Sequence, residues 1–421
     1  MLAVLALVCS ACSSDGGEAV PGVTATTITL GGHLPLTGIQ GINGSSVGSA
    51  AKAYFDYVNN NGGVNGRKII YTYRDDAYSA TNALAHVRHF VEREKVFAIF
   101  DGFGTPAHQG VVGYLNSRHV PDIFPVSGCP CLNNPKELPY TFAWLTNYYR
   151  EGKILGTYVK KTFPGKRIAY FYQDDGVGRS GVAGLDEVIP ATQVVARKAF
   201  KANQAQSVTP AAEALFRARP DVVVSFSAVA FTLLLRSAQE KAGSEAQLVV
   251  SQTGSDPATV AGLLKQDGRS KPVAESSRLL QGIITDAPLV PLTDTSNSWV
   301  TLLRKIHNKY TPGEPLNRYS EIGMATAYTF VQALQRAGRN LTRQSLIAVL
   351  EQGNLASGPG LTPLDYSPTS HAGSTGVQIG TIQDGVVVLH GRPMVTDDGE
   401  GPVEPSPESP PPAPENGIPA P

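Results

Sequence analysis

A glycine pattern within residues 167–184 is the first feature of the sequence that could bind a cofactor. Gly176, Gly178 and Gly181 form a G-x-G-x-x-G pattern shortly after an apolar run, in the stretch RIAYFYQDDGVGRSGVAG. In dinucleotide-binding proteins such glycines form a tight turn between a strand and a helix, and the N-terminus of that helix holds the pyrophosphate. The pattern therefore raises the question of whether this chain binds NAD or FAD.

The residues around the glycines argue against a nucleotide. In a dinucleotide-binding turn the first glycine directly follows the strand, whereas here Gln173, Asp174 and Asp175 intervene. The two carboxylates would repel phosphate groups. The next predicted strand is followed by Arg197 and Lys198, where a dinucleotide site has an acid that binds the ribose. We predict no nucleotide, and we expect the loop to form one wall of a ligand cleft.

Residues that could catalyse a reaction or hold a metal are sparse. His86 and His89 lie three positions apart on a predicted helix, a spacing that suits a metal, but no third ligand accompanies them. Asp174 and Asp175 are adjacent, so their side chains diverge on an extended chain and do not suit an acid and base pair. We predict no catalytic residues, no metal site, no cofactor and no enzymatic activity.

The first residues resemble the end of a bacterial lipoprotein signal. The apolar run LAVLALV is followed by small residues and by Cys12, in the sequence SACSS. The run is shorter than the roughly 20 apolar residues that span a bilayer, and it has the character of a secretory signal. We predict a signal peptide over residues 1–12, a lipid anchor on Cys12 and a tether over residues 13–25. The protein would then be exported and held at the outer face of a bacterial cytoplasmic membrane.

Two further cysteines, Cys129 and Cys131, flank a proline in the sequence SGCPCLNN. Export makes disulfides possible, and a disulfide between these cysteines or two free thiols are both compatible with the spacing. A structural zinc site would need more ligands than this segment supplies.

The composition excludes one class of partner. The chain has 421 residues, with 35 Lys and Arg against 35 Asp and Glu, so its formal net charge is zero. A protein without net positive charge has no global field that attracts DNA or RNA. We therefore predict no nucleic-acid partner, and the length favours two or three domains.

The elements that must position any site follow a regular alternation of strands and helices. Strand-like and helix-like patterns alternate from residue 27 onward, and the alternation restarts near Arg167. Such alternation predicts an α/β fold with two Rossmann-like lobes, each with a parallel sheet covered by helices. In such sheets ligands bind beyond the carboxyl ends of the strands. Residues 397–421 are rich in proline and lack apolar periodicity, which predicts a disordered tail.

Several stretches in the same order make the chain similar to a known family. They are LPLTGIQGINGSSVGSAAKAYFDYVNNNGGVNGRKI, YRDDAYSATNALAHVRHFV and FDGFGTPAHQGVVGYLNSRHVPDIFPVSG. They resemble the opening strand, helix and ligand loops of the branched-chain amino-acid (Leu/Ile/Val) binding proteins of ABC transporters, which have the type I periplasmic-binding fold. The resemblance implies two lobes joined by three hinge crossings. We place lobe I at 26–143 plus 288–356, lobe II at 144–287 plus 357–392, and the crossings near Phe142–Asn147, Gly282–Pro288 and Gly358–Pro363.

The same resemblance implies a set of ligand-binding residues. Thr105 stands where the family has a hydroxyl that grips the ligand carboxylate, and the loop with Val126 shares that work through its backbone. Tyr319 matches an aromatic residue that closes the side-chain pocket. The predicted ligand-binding residues are Thr105, Val126, Ser127, Gly128, Tyr319, Thr253, Ser227, Asn43 and Val177.

Thr253 departs from the family pattern. It falls where members that take amino acids carry a Glu for the α-ammonium group. A buried ammonium without a carboxylate is costly, so either another acid replaces it or the ligand lacks an ammonium group. Asp101, Asp256 and Glu321 are the candidates for that replacement.

The resemblance implies a function that matches the predicted anchor. We expect a monomeric solute-binding lipoprotein of an ABC importer, which binds a branched-chain amino acid or a related amide or carboxylate between its lobes. It would deliver the solute to a membrane permease. The alternatives are a ligand-sensing receptor domain of the same fold and, from another class, an enzyme of the cell envelope.

Overall fold

The structure is a computed structural model that describes residues 19–38, 40–266 and 273–420. The predicted signal peptide, Cys12 and the first part of the predicted tether lie outside the described residues. Within those residues, no helix has the length and apolar character needed to cross a bilayer.

The strands divide into two sheets and a separate hairpin. The first five are β1 (Thr27–Leu34), β2 (Lys68–Asp75), β3 (Ala98–Phe100), β4 (Asp122–Ile123) and β5 (Thr141–Phe142). The next five are β6 (Ile168–Gln173), β7 (Val194–Phe200), β8 (Val222–Phe226), β9 (Gln247–Val250) and β10 (Ile284–Ala287). The last are β11 (Leu364–Ser367), β12 (Ser370–Ser374), β13 (Gly376–Gln383), β14 (Val386–Leu389), β15 (Met394–Val395) and β16 (Glu404–Pro405).

The helices cover the faces of the two sheets. The first seven are α1 (Gly41–Asn60), α2 (Ala80–His89), α3 (Thr105–Gln109), α4 (Val112–Ser117), α5 (Tyr148–Thr162), α6 (Gly176–Val188) and α7 (Val208–Phe216). The others are α8 (Val229–Lys241), α9 (Pro257–Gln266), α10 (Val273–Ser276), α11 (Ser298–Tyr310), α12 (Arg318–Ala337) and α13 (Arg343–Glu351).

Lobe I is built on a parallel sheet whose order in the described chain is β2-β1-β3-β4-β5. β3 lies inside this sheet, and its three residues Ala98–Phe100 are apolar and fully buried. This is the composition expected of a parallel strand that is covered on both faces. The long helices α1 and α12 pack closely against each other, and a side chain at Gly323 would approach the backbone oxygen of Val47 to 2.3 Å.

Lobe II is built on a mixed sheet. Its centre is parallel, in the order β10-β9-β8-β6-β7. Beyond β10 the described strands β13, β14, β15 and β16 join by antiparallel pairing. β13 and β14 form a hairpin that turns at Asp384 and Gly385. The α/β architecture predicted from the alternation is confirmed, with an antiparallel extension at one edge.

The chain passes between the two sheets in three places. It leaves β5 of lobe I and enters α5, whose residue Ile154 packs in a core of lobe II. It returns after β10, where Leu289 joins the core of lobe I, and it leaves again after α13 through residues 357–363. The last two passages pair with each other, because the Leu361 N–H donates to the Pro288 oxygen and Val290 N–H to the Pro359 oxygen.

The glycine pattern at the start of α6 serves close packing. A side chain at Gly178 would approach the backbone oxygen of Gln173 to 2.1 Å, and one at Gly181 would enter the ring of Phe226. The Asp175 carboxylate accepts from the Val177 N–H and caps the helix. The glycines therefore let α6 approach the sheet, and the helix cap is already provided by a carboxylate of the chain itself.

The predicted disordered tail is wrong for the described residues 397–420. Asp397 and Asp398 bind basic residues of α5, and β16 extends the sheet of lobe II. Further along the segment, two residues of lobe I donate to its backbone. The Trp299 indole donates to the Pro411 oxygen, and the Tyr54 hydroxyl donates to the Gly417 oxygen. The proline-rich composition indicated no periodic core face, but backbone carbonyls and two acids are enough to fix this segment to both lobes.

The described part of the predicted tether also belongs to lobe I. Val20 and Val23 pack against its core, and Val23 bridges to Ile28. The Thr29 N–H donates to the Gly22 oxygen. Lobe I therefore begins several residues before the predicted boundary at residue 26.

Candidate functional site

The candidate site is a cleft between the two lobes. It encloses about 560 Å³ of space that holds no protein atoms, part of it open to solvent. Lobe I and the first crossing contribute Gln40, Tyr78, Phe103, Gly104, Thr105, Val126, Leu145, Tyr319 and Ile322. Lobe II contributes Tyr148, Gln173, Val177, Ala228, Gln252 and Thr253. The lining therefore combines apolar and aromatic side chains with uncharged polar groups.

The lobe I wall centres on the loops that follow β3 and β4. The Thr105 and Ser127 hydroxyls are buried and 2.6 Å apart, and the Ser127 hydroxyl also accepts from the Cys129 N–H. Gly104 has a φ of 90°, and a side chain there would collide with the ring of Tyr78. Glycine at this position therefore allows the loop to bring Thr105 against the cleft.

A disulfide joins Cys129 and Cys131 directly behind this wall. Of the two alternatives that the sequence left open, the structure has the disulfide. A side chain at Gly176 in lobe II would lie 2.8 Å from the Thr105 methyl group and 3.6 Å from the Cys129 sulfur. The disulfide loop therefore lies where the two lobes meet.

Aromatic rings form the side of the cleft that belongs mainly to lobe I. The Phe103 ring lies 5.9 Å from that of Tyr319 and 6.5 Å from that of Tyr78, measured between centroids. Burial raises the pKa of Tyr148 to about 12, although hydrogen bonds with Thr105 and the Gly128 backbone act to lower it. Burial also raises the pKa values of Tyr78 and Tyr319. These hydroxyls therefore remain protonated at neutral pH and can donate hydrogen bonds.

The lobe II wall is formed by helix beginnings. Val177 lies in the first turn of α6, and Ala228 is the cap residue of α8. Gln173 connects them, because its side-chain oxygen accepts from the Ala228 N–H and its amide donates to Asp175. The positive ends of two 13-residue helices therefore face the cleft.

A buried pair of acids supports the third part of the wall, at Gln252 and Thr253. The Gln252 N–H lies 3.1 Å from a Glu151 oxygen and 3.0 Å from an Asp286 oxygen. Burial raises the pKa of Asp286 to about 6 and also raises that of Glu151, whose rise the nearby Asp286 increases. Arg318, from lobe I, donates to the backbone oxygens of Gln252 and Asp286. The pair therefore holds the Gln252 backbone in place, and the raised pKa values favour the protonated form of these carboxyls at a higher pH than usual.

A sequence family matches this architecture. The profile of the periplasmic binding protein family covers residues 27–386. The chain belongs to the periplasmic binding protein family. This confirms the resemblance found in the sequence. Members of the family bind small molecules outside the cytoplasm and work with ABC permeases. None of the curated proteins matches the chain.

Solved structures of other periplasmic binding proteins share the fold. A branched-chain amino-acid ABC transporter protein from Thermus thermophilus with bound valine has a TM-score of 0.75 at 19% identity, over 88% of this chain and 97% of that one. A fatty-acid ABC transporter substrate-binding protein from Thermomonospora curvata has a TM-score of 0.75 at 22% identity, over 92% and 98%. A solute-binding protein from Rhodopseudomonas palustris BisB5 in complex with 3,4-dihydroxybenzoic acid has a TM-score of 0.74 at 19% identity, over 89% and 99%.

The structure brings five of the predicted ligand-binding residues to the cleft. They are Thr105, Val126, Val177, Thr253 and Tyr319.

The other four predicted residues lie behind the lining. Ser127 supports Thr105, and Gly128 packs against the Tyr148 ring. Ser227 is buried, and its backbone oxygen accepts from the Thr253 hydroxyl. Asn43 is buried and donates to Gln40. These four residues therefore position the lining rather than form it.

Several lining residues were not predicted from the sequence. Gln173 is the last residue of β6, so a search of strand ends for side chains with donors could have found it, and Tyr148 begins α5 directly after the first crossing. Gln252 lies two positions after β9, and Gln40 lies between β1 and α1, so the ends of these strands indicated both places without indicating the residues. Tyr78 could have been found, since it follows β2 at the edge where ligands bind.

The three acids considered as replacements for the family's Glu do not line the cleft. Asp101 is buried and accepts from Thr326, and Asp256 accepts from the Thr259 backbone and hydroxyl. Asp256 and Glu321 line a neighbouring cavity behind the second crossing. Among the lining residues that the structure describes, none carries a charge.

The two histidines considered as metal ligands, His86 and His89, do not line the cleft. His86 faces the Asp75 backbone oxygen and His89 faces Glu94. In the described ranges 19–38, 40–266 and 273–420, no three His, Cys, Asp or Glu side chains cluster as metal ligands would.

Proposed function

We propose that this chain is the extracytoplasmic solute-binding lipoprotein of an ABC importer. It binds a small solute in the cleft between its lobes, releases it unchanged to a membrane permease and catalyses no reaction. The observation that carries this proposal is the cleft itself. Both lobes contribute polar side chains to one space, and the Tyr78 and Tyr319 hydroxyls there have no hydrogen-bond partner among the described residues.

The geometry supports a division of work between the lobes. Thr105, backed by Ser127, would bind the polar end of the solute from lobe I. Tyr319 and Phe103 would cover its apolar part. Gln252 and Thr253 would complete the site from lobe II, so that binding couples to closure of the lobes. The solute would be a branched-chain amino acid or a related amide or carboxylate.

The location follows from the N-terminal sequence. Cys12 would carry a lipid after removal of residues 1–12, and the following residues would lead to lobe I. The protein would act as a monomer at the outer face of the membrane, next to its permease. Changing Cys12 to Ala should release the mature chain from the membrane fraction, and a membrane-bound Cys12→Ala protein would contradict the anchor.

The test of the cleft compares two Thr→Trp variants. The parent chain is screened by thermal shift against small metabolites that include amino acids, amides and carboxylates. A solute at about 100 times its Kd should stabilise the folded chain by about 2.7 kcal/mol. Thr253→Trp fills the cleft and should abolish this shift, whereas Thr369→Trp, in an exposed turn, should keep it. An equal shift in the two variants, or a solute that is chemically altered on release, would overturn the proposal.

A further inference from the structure

The polar groups that face the cleft are rich in hydrogen-bond donors. In the described part of the chain, the hydroxyls of Tyr78 and Tyr319 and the backbone N–H of Thr105 have no hydrogen-bond partner. The side-chain oxygen of Gln40 already accepts from Asn43, so its amide nitrogen is the group left to bind a solute. Gln252 offers both an oxygen and a nitrogen. A solute with strong acceptors therefore satisfies this site best.

The carboxylates around the cleft are already engaged. Both oxygens of Asp175 accept hydrogen bonds, from the Val177 N–H and from the Gln173 amide. Glu151 and Asp286 lie behind Gln252 and bind its backbone N–H. None of these acids lines the cleft, and the Thr253 hydroxyl, which does, donates to the Ser227 oxygen. An ammonium group in the cleft would therefore be buried without a carboxylate.

One helix end adds to this preference. α8 begins at the lobe II wall without a side-chain cap, and its N-terminus carries partial positive charge, whereas the N-terminus of α6 is already capped by the Asp175 carboxylate. This charge attracts a carboxylate and repels an ammonium group. It acts in the same direction as the unpaired donors, although the two effects have separate origins.

The remaining lining sets the body of the solute. Along one side of the cleft, the Phe103 ring contacts the rings of both Tyr78 and Tyr319. Val126, Leu145 and Ile322 complete an apolar surface. Such a surface suits a flat or branched apolar body about as large as one aromatic ring.

We infer that the solute is a small carboxylate that lacks an ammonium group and carries an apolar body of about the size of one ring. This inference rests on the proposed function and narrows its solute class. Of the solutes proposed above, the inference excludes amino acids and retains simple carboxylic acids.

Matched pairs of solutes test the inference, since they differ only in the amino group. The purified mature chain is titrated by calorimetry with 3-phenylpropanoate and phenylalanine, with 4-methylpentanoate and leucine, and with benzoate. At least one acid should bind at least about 100-fold more tightly than its amino acid, because an unpaired buried ammonium costs several kcal/mol. Tighter binding of an amino acid than of its acid overturns the inference and leaves the proposed function intact.

Two variants at Thr253 link the preference to the cleft. Thr253→Glu places a carboxylate in the lining. It should weaken the affinity for the acid at least tenfold and strengthen the affinity for the matching amino acid. Thr253→Gln has nearly the same size without the charge and should keep the preference for the acid. Equal behaviour of the two variants would contradict an electrostatic origin.

The failure of the inference is distinguishable from that of the proposed function. If no acid in the panel binds, the carboxylate class is wrong. The proposed function fails only if the wider metabolite screen also finds no solute whose binding Thr253→Trp abolishes and Thr369→Trp retains.

Discussion

Two buried polar regions of this protein differ in how completely their groups are paired. In the cleft, the described lining residues carry no charge, and several donors have no partner. In a second region, which we call the hinge anchor, Arg150 and Lys153 of α5 meet Asp397 and Asp398 of the C-terminal segment. The Arg150 guanidinium lies 2.9 Å from Asp398 and 3.2 Å from Asp365, and the Lys153 ammonium lies 3.0 Å from Asp397.

The difference reflects what each region does. The hinge anchor holds chain segments together permanently, so each buried charge is paired and hydrogen-bonded. Lys153, for example, also donates to the backbone oxygens of Gly399 and Gly401. The cleft must exchange water for a solute, so it keeps donors that water can satisfy until the solute replaces it. An unpaired polar group in a wall that opens to solvent is therefore a sign of binding, whereas a paired buried charge is a sign of structure.

The largest expected effect is at the hinge anchor. The Arg150 side chain is 4% exposed, and Arg150→Ala removes the charged partner of Asp398 and one donor to the Ser374 oxygen. Asp398 keeps the amide donors of Asn133 and Asn147. We expect a loss of about 2–3 kcal/mol in the free energy of unfolding, below the cost of a fully buried pair because Asp398 is partly exposed. Denaturant unfolding measures this. Arg179→Ala is the matched control, since Arg179 is 67% exposed and pairs with Asp174, and it should cost under about 1 kcal/mol.

Removal of residues 410–421 tests the half of the C-terminal segment that follows the ion-paired acids. This part contacts lobe I through hydrogen bonds from Trp299, Tyr54 and Tyr57 to its backbone. We expect the shortened chain to lose about 2 kcal/mol, since buried aromatic surface becomes exposed while the chain regains entropy. Thermal and denaturant unfolding measure the loss. An unchanged midpoint would show that only the part with Asp397 and Asp398 holds the segment in place.

The acid pair behind the cleft predicts a pH dependence of stability. Since burial raises the pKa of Asp286 to about 6, the folded chain keeps a proton that the unfolded carboxyl releases near pH 4, its usual pKa being about 3.9. The folded state then binds more protons in this window, so this contribution to stability falls as pH rises from about 4 to about 6. Asp286→Asn removes it.

The difference in unfolding free energy between parent and Asp286→Asn measures this effect together with the part of the raised Glu151 pKa that Asp286 causes. Both lower the stability of the parent relative to the variant as pH rises through that window. His371, whose pKa burial lowers to about 4, gives the opposite slope in both proteins and cancels in the difference. A difference that does not vary between pH 4 and 7 would contradict the raised pKa of Asp286.

The smallest expected effect is the loss of one donor in the cleft. Tyr319→Phe keeps the ring and removes a hydroxyl that has no partner in the described chain. We expect solute affinity to fall about five- to tenfold, the effect of one hydrogen bond, with little change in stability. Calorimetric titration with the solute found by screening measures it. Tyr149→Phe, which removes a hydroxyl bonded to Glu187 outside the cleft, should leave the affinity unchanged.

The fold was predictable because its determinants are local. Alternating apolar patterns such as that of β2 and capping residues such as Asn147 before α5 lie within a few positions of the elements that they specify. Thr105 and Tyr319 were predictable through the family resemblance, since they occupy ordered positions after recognisable motifs.

The remaining features depend on contacts between distant residues. Lys153 and Asp397 are 244 positions apart, and neither residue type indicates that the two will pair. The position of Gln252 in the cleft also depends on distant residues. Its backbone is fixed from three different elements, by Glu151, Asp286 and Arg318. Composition therefore predicted disorder in residues 397–421, whereas contacts across the fold order the described residues 397–420.

Amide hydrogen exchange tests most directly the claim that both lobes hold one solute. The parent chain is compared with and without a saturating solute identified by the thermal-shift screen. The account predicts slower exchange in the lobe I loops at 103–105 and 126–128, and also in the lobe II segments at 176–178, 228–231 and 252–254. Protection confined to the loops of one lobe, with binding otherwise intact, would contradict it.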